Sequence, residues 1–86
     1  MSNVFISLPS TETVQEFVNT IAGMDGDFEL INDIYILDAR SLMGIFSLDL
    51  QKPIELRIYN DTHQNCEQLR RFIIRSDGKG VNNDGQ

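Results

Sequence analysis

The sequence predicts an α+β domain, a sheet with helices against one of its faces. Two strand-like runs, residues 27–31 and 34–38, flank Asn32-Asp33, the pattern of a hairpin. A third run, residues 54–59, sets Ile54, Leu56 and Ile58 against Glu55, Arg57 and Tyr59. Between the strands, Val14, Phe17, Val18 and Ile21 recur at helical spacing, as do Cys66, Leu69, Phe72 and Ile73.

The first strand is expected over residues 3–8, where Val4, Ile6 and Leu8 alternate with Phe5 and Ser7. Pro9 ends it, because proline cannot donate to a ladder. A helix follows. Thr13 and Glu16 have capping-box spacing, and Ser10 is a rival cap one turn earlier. Gly23 is its expected stop. Strands at 27–31 and 34–38 come next, with Asn32-Asp33 as a turn whose residues tolerate positive φ. Residues 41–48 read as a short helix with Leu42, Ile45 and Phe46 as apolar faces, and 51–53 as a turn. Asp61 or Thr62 caps the last helix. Arg70, Arg71 and Arg75 are expected near its end, where cations suit the dipole. The domain is expected to span 1–75, with 76–86, rich in Gly, Asn and Asp, as a frayed tail. Four amphipathic strands imply one face buried under helices and one wet face.

At 86 residues and 41% hydrophobic, the chain has material for one small core. A net charge of −6 argues against nucleic acid or an anionic membrane as partner. Cys66 is the one cysteine, so there is no internal disulfide and no cysteine-based zinc site to expect. Residues 1–8 carry no basic residue, and no apolar run approaches the roughly 20 residues that span a bilayer. These features predict a soluble cytoplasmic protein.

The most informative stretch is 38–48, Asp-Ala-Arg-Ser-Leu-Met-Gly-Ile-Phe-Ser-Leu. A serine stands between a strand and an apolar helix. This arrangement, over residues 3–74, resembles the HPr family of the bacterial sugar phosphotransferase system. The specific part runs from Arg40 to Leu48 and is similar to the family's regulatory-serine motif. The resemblance implies an HPr-like open-faced β-sandwich, with four antiparallel strands in the order 1-4-2-3 and three helices on one face.

The resemblance fails where the family keeps its chemistry. Carrier HPr proteins hold phosphate on a histidine before the first helix, followed by alanine, arginine and proline. Here the segment reads Ser10-Thr11-Glu12-Thr13, with Ser10 approximately at the histidine position and Glu12 at the arginine's. A neutral imidazole attacks phosphorus and leaves easily, whereas a serine hydroxyl needs a base and makes a stable ester. Glu12 also repels phosphate. Phosphohistidine relay is therefore expected to be lost, and no catalytic residue or cofactor is expected. His63, the single histidine, falls at the start of the last helix, and an exposed helix-entry role accounts for it.

Ser41 has two compatible roles. As a helix cap it contributes about 0.5–2 kcal/mol. By resemblance it is also a site for an HPr kinase-like enzyme, with the phosphate at the positive end of the helix beside Arg40. Leu42, Met43 and Phe46 are either core or, as the resemblance implies, a docking surface together with Arg40. The expected partners are proteins: that kinase and a transcriptional regulator of carbon use. Gly44 reads as a close-packing position. The dispersed carboxylates have no metal-ligand spacing, and Gly78-Lys79-Gly80 lacks the strand and helix of a phosphate-binding loop. A divergent phosphocarrier using Ser10 or His63, and a domain with neither phosphorylation, are the alternatives.

Overall fold

The structure is a computed structural model that describes residues 1–33 and 35–76. Its elements are β1 (Ser2–Ile6), α1 (Thr11–Ala22), β2 (Phe28–Asn32), β3 (Tyr35–Asp38), α2 (Leu42–Phe46), β4 (Ile54–Ile58), α3 (His63–Leu69), a 3-10 turn (Arg70–Phe72) and β5 (Ile73–Ser76). This is an α+β fold with one five-stranded antiparallel sheet in the order β3-β2-β4-β1-β5. The first four strands thus keep the order 1-4-2-3, and β5 lies beyond β1.

Strand alternation sorts the two faces. Val4, Ile6, Phe28, Leu30, Ile54, Leu56 and Ile58 join Val14, Phe17, Ile21, Ile45, Leu69 and Phe72 from the helical segments in one core. Phe17 and Phe72 meet edge to face at 5.3 Å. The other face carries polar pairs. Asn3 Nδ2 donates to Glu55 at 2.6 Å, and Glu29 accepts from Tyr59 at 2.8 Å and pairs with Arg57 at 3.4 Å.

Several expectations need correction. β1 ends at Ile6, and the Ser7 N–H donates to the Phe72 carbonyl instead of a strand. Ser10, not Thr13, caps α1, accepting the Thr13 N–H at 3.1 Å. Glu16 does not close a capping box; it pairs with Arg71 at 3.1 Å. Gly23 is the C-cap, as expected. The hairpin turn is displaced by one residue. Asn32 pairs with Tyr35 as part of the ladder, so it belongs to β2 and not to the turn, and Asp33 follows it at φ 45°. Ile34, expected to open β3, lies outside the described residues.

The last helix is shorter than its periodicity suggests. Leu69 and Phe72 are buried as expected, but Asn65 takes the buried place expected of Cys66, which is half-buried. Ile73 leaves the helix for β5 and pairs with Ile6. Two adjacent β-branched residues suit a strand, and β1 offered an unpaired edge. Arg75 consequently sits in β5 with its guanidinium 4.5 Å from the Phe5 ring, not at a helix end. Ser76 pairs with Val4, one residue past the expected boundary, and 77–86, including the Gly78-Lys79-Gly80 segment, lie outside the described residues.

Candidate functional site

Ser41 is placed by the corner between β3 and α2. Asp38 builds that corner. Its side-chain Oδ1 accepts the Arg40 N–H at 2.8 Å, and its carbonyl accepts the Ser41 N–H at 3.0 Å. Ser41 then caps α2. Its extended backbone (φ −85°, ψ 92°) lets Oγ accept the Gly44 N–H at 3.3 Å, while its carbonyl takes the Ile45 N–H at 2.9 Å. The residue is exposed. The expected cap is present, on a residue that is also exposed.

Gly44 is the position that makes this cap fit. A Cβ there would lie 2.9 Å from Ser41 Oγ and 3.3 Å from Leu37 Cδ1. The absence of a side chain lets α2 settle on β3.

The apolar residues after Ser41 divide. Ile45 is fully buried, and Leu42 is half-buried against the core. Met43 is 80% exposed and Phe46 38%. A helix of five residues has too few turns to bury every side, and the outward residues include a polarizable methionine. Leu42 also lines a shallow cavity of about 210 Å³ with Gln15, Val18 and Asn19 of α1. The surface next to Ser41 therefore continues from α2 onto α1.

Arg40 departs from its expected role. Its Nη2 donates to the carbonyls of Met24 (2.8 Å), Gly26 (3.1 Å) and Ile21 (3.3 Å), and the guanidinium stands 5.3 Å from the Phe28 ring. The head closes the end of α1. Its Nη2 donor is thus engaged by backbone carbonyls, and the side chain is half-buried.

Ser10 and His63 occupy other helix entries. Ser10 Oγ lies 2.9 Å from Thr13 Oγ1, in addition to its capping bond. His63 is the exposed first residue of α3, which Thr62 caps. Among the described residues, neither serine hydroxyl is hydrogen-bonded to a histidine or a carboxylate. A second cavity, of about 550 Å³, opens elsewhere beside Phe5, Ile31, Asp49 and Lys52, and contains none of the expected site residues. Among the described residues, no group of three or more histidine, cysteine or acidic side chains is placed to hold a metal ion, and no helix is long and apolar enough to cross a membrane.

The carbonyl contacts of Arg40 were not foreseen from the sequence. Asn65 is the residue that sequence reasoning missed. Asn65 is buried, and its Nδ2 donates to the Asn60 carbonyl at 2.9 Å and the Asp25 carbonyl at 3.4 Å. Its signal was the i, i+4, i+7 spacing to Leu69 and Phe72, hidden because asparagine is polar.

Comparison of the chain with protein-family models, with curated proteins and with solved structures found no match.

Proposed function

We propose that this chain is an HPr-like regulatory module, with the open-faced sandwich of that family extended by β5. In this reading it is a cytoplasmic, non-enzymatic protein that does not carry phosphate on histidine. Ser41 is its switch, phosphorylated by an HPr kinase-like enzyme. Met43 and Phe46, flanked by Leu42 and α1, form the docking surface for a protein partner such as a transcriptional regulator of carbon use.

One observation carries this reading. An exposed serine caps a short helix whose next turns present an exposed methionine and phenylalanine. A phosphate on Ser41 adds charge within reach of that surface without entering the core. The strand order β1-β4-β2-β3 and the Arg40 to Leu48 motif support the family resemblance independently. The Ser10-Thr11-Glu12-Thr13 segment supports loss of the carrier role, because it supplies neither an imidazole nor a cation.

The test is phosphorylation with an HPr kinase and ATP, followed by intact mass and peptide mapping. One phosphate on Ser41, absent from Ser41→Ala, is the expected result. An unlabelled wild-type chain sinks the switch. A parallel incubation with phosphoenolpyruvate and the first enzyme of the phosphotransferase system addresses the carrier role. Phosphate on Ser10 or His63 would overturn the proposal in favour of a divergent phosphocarrier.

A further inference from the structure

β3 forms one edge of the sheet, with β2 as its neighbour. The register shows which of its backbone groups face outward. The Ala39 N–H donates to the Phe28 carbonyl at 2.9 Å, continuing the alignment in which Leu37 faces Leu30. Bonded pairs alternate in an antiparallel ladder. Tyr35 and Leu37 therefore bond to β2, and Ile36 and Asp38 turn their N–H and C=O groups outward. The Asp38 carbonyl is taken by Ser41. Among the described residues, the Ile36 N–H and C=O and the Asp38 N–H have no hydrogen-bond partner, and they face outward to where another strand would lie.

Edges are commonly guarded by lysine, proline or a bulge. β3 reads Tyr-Ile-Leu-Asp and has no register shift against β2. Tyr35 and Ile36 are 58% and 59% exposed, on opposite faces. Acidic residues stand at the two ends, Asp33 and Asp38. Both are exposed, and neither has an ion-pair partner among the described residues.

We propose that the β3 edge accepts an extended segment of a partner protein as a further strand, and that this segment is a short apolar run flanked on both sides by lysine or arginine. Backbone bonds to Ile36 and Asp38 hold it, and side chains covering Ile36 and Tyr35 set its register. Its basic flanks meet Asp33 and Asp38. A second copy of this chain fits less well. Pairing β3 with itself sets the acidic ends of the two strands side by side, in a chain of net charge −6. The proposal uses neither phosphorylation of Ser41 nor the α2 surface, so it stands or falls separately from them.

The test uses the full chain labelled with nitrogen-15. It is titrated with a blocked peptide of three valines between pairs of lysines. Saturable shifts and slowed hydrogen exchange at the Ile36 and Asp38 amides are expected. Replacing the lysines with glutamates should weaken binding by at least about tenfold. Of two N-methylated peptides, one at the central valine and one at the two outer valines, one should lose binding and the other keep it, because only one of these sets donates to β3. Ile36→Pro removes an outward N–H that β2 does not use, and Ile36→Lys repels the peptide, so both should lose binding while keeping the remaining spectrum. No shift at Ile36 and Asp38 at millimolar peptide would overturn the proposal, as would shifts confined to Met43 and Phe46. Concentration-dependent shifts at Ile36 without peptide would assign the edge to a second copy instead, and equal binding of the glutamate peptide would refute the charge argument.

Discussion

The Arg40 guanidinium donates to the Met24 carbonyl at 2.8 Å, and so fastens the corner before α2 to the end of α1. Met24 lies two residues past Ala22, the last residue of α1, so the bond holds the turn that leaves the helix, and a cation there also suits the dipole. The same nitrogen reaches Ile21 and Gly26, and the half-buried head covers Phe28. Arg40→Ala should therefore lower stability by about 1.5–3 kcal/mol, the scale of a hydrogen bond from a charged donor. Urea unfolding would show a lower midpoint at unchanged slope. Arg40→Lys should recover part of the loss, since an ammonium reaches fewer of the carbonyls. An unchanged midpoint in Arg40→Ala would return this residue to the surface role that its sequence position suggests.

Ser41 and Gly44 should not behave as independent sites. Ser41→Ala removes a cap worth about 0.5–2 kcal/mol. Gly44→Ala gains about 1 kcal/mol of helix propensity. It also places a methyl 2.9 Å from the capping oxygen and forces Ser41 to turn away. The two effects in Gly44→Ala should nearly cancel or leave a small loss. In that background, Ser41→Ala should cost little. A double-mutant cycle by urea unfolding reads the coupling. Strict additivity would mean that the cap survives the added methyl.

Alternation at Ile54, Leu56 and Ile58 and helical spacing at Val14, Phe17 and Ile21 made the sheet and first helix legible, because one-sided burial writes itself directly into period. The misplacements have separate physical origins. Asn32 and Asp33 both tolerate turn geometry, and only the pairing of Asn32 with Tyr35 selects the register. β5 was unreadable because Ile73 fits a helix stripe as well as a strand; the edge of β1 decides between them, and that edge exists only in the fold. At the candidate site, the Ser41 cap was legible from local sequence. Arg40 was not, since its three acceptors lie fourteen to nineteen residues away along the chain.

A second test of structure concerns the corner held by Asn65. Its amide donates to the Asn60 carbonyl, and Gly26 sits against the Asn60 side chain at φ 100°. Asn65→Ala removes the buried amide and its bonds to the Asn60 and Asp25 carbonyls, and should cost about 1–3 kcal/mol. Gly26→Ala meets both a left-handed backbone and a Cβ 2.5 Å from that of Asn60, so it should also destabilise. Thermal unfolding of both variants checks this. Wild-type stability in Asn65→Ala would show that water replaces the amide without loss.

Cys66 gives the fold a dependence on alkaline pH. Burial, and then the nearby carboxylates Asp61 and Glu67, push its thiol above the ordinary pKa. A raised pKa means that the folded state holds the proton more tightly than the unfolded chain. The associated stability is complete below the unfolded pKa, about 8.5 for an ordinary thiol, and disappears as pH rises through the folded value. The stability of the wild type relative to Cys66→Ser should thus fall across the alkaline range and stay flat through neutrality. Alkylation by iodoacetamide reports the same proton, because only the thiolate reacts. Its rate should rise at higher pH in the folded chain than in the urea-unfolded chain. Coincident profiles would place Cys66 in water, with its thiolate free of the neighbouring carboxylates.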